Sequence, residues 1–327
     1  MKCNMLVFIC IFLFSVVGCT QQVYLARVPK KNPPKVETWK DVDDFLYQLQ
    51  YFDLTRTGQG KHDLIIMDYS VDGSPYRQFS FRQIQDLKNS PGGEKLVLAY
   101  MSIGEAEDYR WYWNGNWDKN KDGTPDPDAP QWLGPSNPDW PGNYKVKYWN
   151  KNWQKIIFGS KTSYLDMIID AGFDGIYLDI IDAYYYWGPW GSSGLKRKTS
   201  DRDMVEFIKS MARYARDVRG KTHFGIFPQN GEFLLKYPDY LEVINGIGKE
   251  STWYAGNTPQ TKDLVKFSTH YLDIAVKNNK LVLATEYTTD PEKIKDFITR
   301  ALKKGYLPFV GGRALDKYSD HPAYLAD

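Results

Sequence analysis

From Trp39 onward, short apolar runs rich in β-branched and aromatic residues alternate with longer stretches whose apolar positions recur at helical spacing. The first kind predicts buried strands and the second amphipathic helices. Strands are expected at Phe45–Gln50, Asp63–Tyr69, Lys95–Ile103, Phe173–Ile181, His223–Gln229, Tyr240–Gly246, Lys280–Tyr287 and Tyr306–Gly311. Among the helices, Asp201–Arg219 carries Met204, Ile208, Met211, Ala212, Ala215 and Val218 on one face and stops at Gly220. Thr258 with Pro259, and Asp290 with Pro291, read as N-cap and first-turn pairs opening helices that end near Asn278 and Gly305. Trp153–Ala171 is a further amphipathic stretch, interrupted near Gly159. Eight such βα units within residues 39–327 predict a single (β/α)8 barrel, with a doubly wound open sheet as the alternative.

The fourth of these strands is the most informative stretch. Ala171–Asp182 is an apolar run that ends in two carboxylates, Asp179 and Asp182, and is followed by the aromatic cluster Tyr184–Trp190. A charge inside an apolar run is costly unless it is used, and the C-terminal end of a barrel strand is where chemistry collects. Asp179 is therefore a candidate functional carboxylate. Asp182 reads equally well as the N-cap of the helix that follows.

One segment breaks the alternation. Glu105–Asn152 holds Trp111, Trp113, Trp117, Trp132, Trp140 and Trp149, with Trp153 just beyond, and it is rich in proline. A loop of this length in a compact domain is usually functional. After the third strand of a barrel it would lie over the active-site face, with two or three of its rings toward substrate. Within it, Asp118, Asn120 and Asp122 follow the D-x-N-x-D-G half of a calcium loop ending at Asp126. Position twelve is Ala129, so the stretch reads first as an Asp/Asn/Gly turn and second as a structural calcium site.

The first 22 residues change the picture of compartment. Lys2 followed by the apolar run Leu6–Val17 has the layout of a secretion signal, and Val16-Val17-Gly18-Cys19 resembles a bacterial lipobox. The expectation is a signal peptide over 1–18, a lipid on Cys19, a Pro- and Lys-containing tether over 19–38, and a single domain over 39–327. The protein would then sit in the bacterial cell envelope, touching the membrane through its lipid only. The other two cysteines, Cys3 and Cys10, fall within the signal, which leaves no thiol for a disulfide or metal site. A formal net charge of +2 excludes general attraction to nucleic acid. Aromatics make up 16% of the chain, an excess suited to stacking on sugars.

Carboxylates recur at the expected strand ends: Asp68, Glu105, Asp179 with Asp182, Glu250 and Glu286. In a barrel these converge on one mouth, and two such groups flanking a glycosidic bond suffice for its hydrolysis. Asn230 adds an amide suited to a sugar hydroxyl, and the runs Tyr109–Trp113 and Tyr184–Trp190 add ring faces. Other chemistries lack their motifs. There is no H-E-x-x-H and no G-x-S-x-G, and neither Gly246–Ser251 nor Gly191–Lys198 has the spacing of a nucleotide loop.

Val97–Arg110, Gly172–Asp182 and Phe227-Pro228-Gln229-Asn230-Gly231 together resemble glycoside hydrolase family 114, the endo-α-1,4-polygalactosaminidase group, over most of residues 40–315. The resemblance implies a (β/α)8 barrel that cleaves galactosamine-containing polymers without a cofactor. It implies Asp179 as nucleophile and Glu250 as general acid/base. Substrate-binding candidates are Asp68, Tyr100, Glu105, Tyr109, Arg110, Asp182, Tyr186, Asn230 and Glu286. A mouth rich in carboxylates would suit a cationic amino sugar. The competing expectation is a carbohydrate-binding lipoprotein that uses the same scaffold without catalysis.

Overall fold

The computed structural model describes residues 38–320, so the signal, Cys19 and all of the tether but Thr38 lie outside the described residues. Eight parallel strands run through the described chain. They are β1 (Phe45–Tyr47), β2 (Leu64–Asp68), β3 (Leu96–Ser102), β4 (Gly175–Asp179), β5 (Gly225–Pro228), β6 (Gly246–Glu250), β7 (Leu281–Glu286) and β8 (Leu307–Val310). β1 to β5 form one sheet and β6 to β8 another, each in chain order. The two continue one another where Gln229 pairs with Gly248 and Asn245 N–H donates to Ile226 O. At the other edge Phe309 on β8 packs on Phe45 of β1, with ring centroids 5.4 Å apart. Strand residues are buried on both faces, which explains why their sequences read as continuous apolar runs rather than alternating ones.

Register sets where the strand ends meet. Ser102 lies beside Asp179 and Leu178 beside Pro228, so the ends of β3, β4 and β5 lie close to level. The helices between strands follow the sequence logic closely. Asp290 caps Pro291–Lys303 by accepting from the Glu292 and Lys293 N–H groups. Ser200–Arg213 buries Met204, Ile208, Met211 and Ala212 and continues as a wider turn to Val218. The stretch near Gly159 is divided as expected. Helices Lys151–Ile157 and Tyr164–Asp170 flank it, and Gly159 has a left-handed φ of 108°.

Two expectations are corrected. Tyr240–Gly246 is not a strand: Pro238 in the first turn starts a short helix, Pro238–Val243, and the strand runs from Gly246 to Glu250. Two glycines make that strand a poor β-former by propensity, yet the space around it demands them. A Cβ at Gly246 would lie 2.5 Å from the Phe227 ring, and one at Gly248 would lie 1.8 Å from the Tyr177 hydroxyl. Thr258-Pro259 does not open the following helix either. It pairs with Tyr254–Ala255 as a short hairpin, and Thr261 caps Lys262–Lys277.

The tryptophan-rich segment is folded. Glu105–Glu107, Leu133–Asn137 and Trp140–Val146 form an antiparallel sheet just beyond the end of β3. Trp113, Trp117, Trp132 and Trp153 pack ring to ring at 4.9–5.2 Å. Most of the tryptophans thus make a small aromatic core under the sheet.

Candidate active site

A cavity of about 770 Å³ opens where the C-terminal ends of the strands meet, and Asp179 and Glu250 both line it. The chain turns off β4, β5 and β6 through Ile180, Asn230 and Ser251, whose φ values are 58°, 60° and 52°. Left-handed backbone is costly for a β-branched residue such as Ile180. Here it aims the Ile180 N–H at its own neighbour: it donates to Asp179 Oδ1 at 2.7 Å. Asp179 Oδ2 accepts from the Tyr100 hydroxyl at 2.6 Å. Burial pushes the Asp179 carboxyl up to about 8, and the negative charge of Glu250 adds to the effect. The Tyr100 and Ile180 donors pull it the other way.

Glu250 stands one strand further round than β5 and is held from two sides. The Tyr287 hydroxyl donates to its Oε1, and Asn230 Nδ2 donates to its Oε2 at 3.1 Å. Asn230 also accepts the Glu250 N–H at 3.2 Å and the Lys249 ammonium at 3.3 Å through Oδ1. Each of the two carboxylates therefore has a tyrosine hydroxyl of its own. Below them Tyr47 donates to Gln229 Oε1 at 2.8 Å, and its ring lies 5.1 Å from that of Tyr177.

The opposite wall is an ion triad. Arg110, with a fully buried side chain, donates to both oxygens of Asp68 at 2.9 and 2.8 Å and to Glu107 Oε2 at 2.6 Å. Tyr109 donates to Glu107 Oε1 at 2.6 Å. Burial raises the Asp68 carboxyl, and Arg110 opposes that rise.

Of the residues singled out by sequence, the cavity gathers Asp68, Tyr100, Tyr109, Arg110, Asp179, Asp182, Asn230 and Glu250. It does not gather Glu105, Tyr186 or Glu286. Glu105 is buried against Lys145 and Asn137, at 2.9 and 3.0 Å. Tyr186 lies under the Lys145 ammonium, 4.7 Å from its ring centroid. Glu286 is fully buried, accepts the Trp253 N–H at 2.7 Å, and is pushed up to about 7 by burial. Asp182 precedes helix Ala183–Trp187, but its side chain caps none of the helix N–H groups. Of the seven tryptophans, only Trp140 lines the cavity, where two or three were expected toward substrate. Trp187 is buried and the exposed Trp190 lies elsewhere, so the Tyr184–Trp190 run does not wall the cavity. Sequence reasoning missed Tyr47, Glu107, Gln229, Tyr287 and Arg313, all of which line it.

The Asp118–Asp126 stretch folds as a turn closed on itself. Asp118 accepts from the Tyr144 hydroxyl at 2.6 Å and from the Gly123 N–H at 2.9 Å, while Asn120 donates to Asp122 at 2.8 Å. Among the described residues no group of three or more His, Cys, Asp or Glu is placed to hold a metal ion.

Relatives span nearly the whole chain. An uncharacterized protein of Methanocaldococcus jannaschii is 38% identical over 83% of this chain and 76% of its own length. An uncharacterized protein of Thermotoga maritima is 32% identical over 96% and 91% respectively. The crystal structure of Aspergillus fumigatus Ega3 in complex with galactosamine superposes with a TM-score of 0.58 at 18% identity, covering 90% of this chain and all of that one. That likeness is one of fold. The model of glycoside-hydrolase family GH114 matches residues 27–326, and the chain belongs to that family.

Proposed function

We propose that this glycoside hydrolase is an endo-acting enzyme that cleaves an amino-sugar polysaccharide with retention at the anomeric carbon. The observation that carries the reading is the pairing of Asp179 and Glu250 in one cavity, each fixed by a tyrosine hydroxyl. In this reading the eight strands close into a (β/α)8 barrel, and the cavity is its catalytic mouth. Asp179 attacks the anomeric carbon while Glu250 protonates the leaving oxygen and later activates water. A carboxyl separation of about 5–5.5 Å in the substrate complex goes with retention, and one of about 6.5–9.5 Å with inversion.

The electrostatics put a condition on the first step. In the free enzyme burial and the negative charge of Glu250 both disfavour the ionised form of Asp179. Attack needs Asp179 ionised and Glu250 protonated. A positive charge arriving beside Asp179, first a sugar ammonium and then the oxocarbenium-like centre, favours that arrangement. The acidic lining supports a cationic substrate: Asp68, Asp72, Glu107, Asp179, Asp182 and Glu250 outnumber Arg77, Arg110 and Arg313. Galactosamine is the ligand of Ega3, whose fold this chain shares. The lipobox-like Val16–Cys19 supports a lipid-anchored protein of the bacterial cell envelope.

The test is reducing-end release from partly deacetylated galactosamine polymers by the purified protein and by its Asp179→Asn and Glu250→Gln variants. The wild type should release oligosaccharides whose new reducing ends are first seen as the α-anomer. Each variant should fall below about a thousandth of that rate while remaining folded. Binding without release by the wild type would select a non-catalytic glycan receptor instead.

A further inference from the structure

The catalytic floor of the cavity is acidic, but its rim is not. At the rim, Arg313 stands across from Trp140, with its guanidinium 5.7 Å from the ring centroid. Both residues are exposed and both line the cavity. Their elements are far apart in sequence. Trp140 begins the long strand of the Glu105–Val146 sheet, and Arg313 follows β8.

The Arg313 loop is tied in place. The Leu49 and Gln50 N–H groups donate to Leu315 O at 2.8 and 3.1 Å, and Gln50 Nε2 donates to Ala314 O at 3.1 Å. Leu315 and Tyr51 both hold left-handed φ angles, 49° and 50°, on the two sides of this seam. Tyr51, at 78% exposure, lines the same rim. Two exposed rings and an arginine on a pinned loop, at the edge of a glycan cleft, make a surface for a pyranose.

The three cavity arginines differ in one respect. Arg110 is neutralised by Asp68 and Glu107, and Arg77 lies 3.6 Å from Asp72. Arg313 has no carboxylate within 4 Å among the described residues. Its charge is therefore available to a ligand. An exposed guanidinium repels an ammonium and donates in a planar fork to acceptor oxygens.

We infer that Trp140 and Arg313 form a distal subsite for a non-cationic sugar bearing an acceptor oxygen, an acetamido carbonyl or a carboxylate, away from the bond being cleaved. The inference rests on the amino-sugar reading above and deepens it: the preferred chain is mixed. A free amine faces the acidic floor, and an N-acylated or acidic unit faces the rim. Trp140 supplies the stacking face, and Arg313 supplies the selectivity.

The experiment compares wild type, Arg313→Ala, Arg313→Glu, Trp140→Ala and Trp140→Phe on galactosamine oligosaccharides of one length. Three sets are used: fully deacetylated, partly N-acetylated, and carrying a terminal uronic acid. The wild type should favour the second or third set over the first by about five-fold or more in kcat/KM, chiefly through KM. Arg313→Ala should bring that ratio close to one and Arg313→Glu should invert it. Trp140→Ala should raise KM for all sets, and Trp140→Phe should restore most of the loss. Equal losses on all three sets in Arg313→Ala, or no change in any, would overturn the inference. If the wild type hydrolyses none of the sets, the catalytic reading fails. The same ratios are then read from calorimetric binding constants, where an Arg313-dependent preference upholds the subsite and its absence removes it. Both side chains are exposed, so thermal unfolding of the variants should match wild type.

Discussion

The Tyr100 hydroxyl donates a 2.6 Å hydrogen bond to Asp179 from the neighbouring strand, and it is one of two donors that hold this carboxyl below the value burial alone would give it. The bond has a kinetic consequence. In the proposed mechanism one proton is held between Asp179 and Glu250, and with Asp179 pushed up to about 8 the alkaline limb of kcat/KM should appear near that pH. Tyr100→Phe removes a donor to the anion, so the limb should move upward by about one pH unit, which is what roughly 1.4 kcal/mol of lost charge-assisted bonding amounts to. A pH–rate profile on soluble oligosaccharides measures this, and a limb that moves downward would contradict the role given to the hydroxyl.

The same carboxyl makes stability depend on pH. Its folded-state value of about 8 lies far above the 3.8 of an unperturbed Asp, so the folded protein holds a proton that the unfolded chain releases. Stability from this group is full below about pH 4 and is lost as pH rises toward 8. Asp179→Asn removes the titration and keeps the shape. The variant should be more stable than wild type at pH 8, by at least about 1 kcal/mol, and the difference should vanish near pH 4. Thermal unfolding at both pH values checks the sign.

How much of this was legible follows from the chemistry of each residue. Asp179 was visible because a charge within Gly-Ile-Tyr-Leu-Asp contradicts its surroundings, and only use resolves the contradiction. Glu250 stood out only as one of several strand-end carboxylates, and its acid/base role came from the family resemblance. Its strand, Gly-Ile-Gly-Lys-Glu, has weak β propensity, and the neighbouring Tyr240–Ile244 run looks more like a strand than the strand does. What makes the glycines obligatory is the bulk of Phe227 and Tyr177 on other strands, which no local pattern contains. Tyr287 was hidden behind Glu286: at a strand end, consecutive residues face opposite ways, and the reading chose the charged one. The tryptophans were over-assigned to substrate because composition cannot separate a stacking platform from a second small core. The edge-to-face packing of Trp117 on Trp132 shows where most of that aromatic surface went.

Arg110 and Asp68 are 42 residues apart in sequence and form a bidentate pair in the cavity wall, with Glu107 as the third member. Removing the cation leaves two buried carboxylates without compensation. Arg110→Met should cost about 3–5 kcal/mol at pH 7. The loss should shrink as pH falls, because Asp68, already raised by burial, can then take up a proton. Denaturant unfolding across a falling pH series tests the claim. A pH-independent loss would mean that packing, not charge, dominates the effect.

Gly248 lies in β6 two residues before Glu250, and the space its side chain would need is filled by Tyr177 of β4. A Cβ there would come within 1.8 Å of the hydroxyl and 2.5 Å of the ring carbon that bears it. Tyr177 is fully buried and packed on Tyr47, so it cannot swing aside without moving the layer beneath Asp179 and Glu250. Gly248→Ala should therefore destabilise by about 1–3 kcal/mol and reduce kcat by displacing Glu250. Tyr177→Phe removes only the hydroxyl contact and should rescue little, because the ring carbon still intrudes. Tyr177→Leu shortens the side chain, so in the Gly248→Ala background it should recover stability by more than the two single effects would add. Unfolding free energies of the four proteins in that cycle provide the measurement. Strict additivity would show that Gly248 is required by its backbone rather than by the tyrosine facing it.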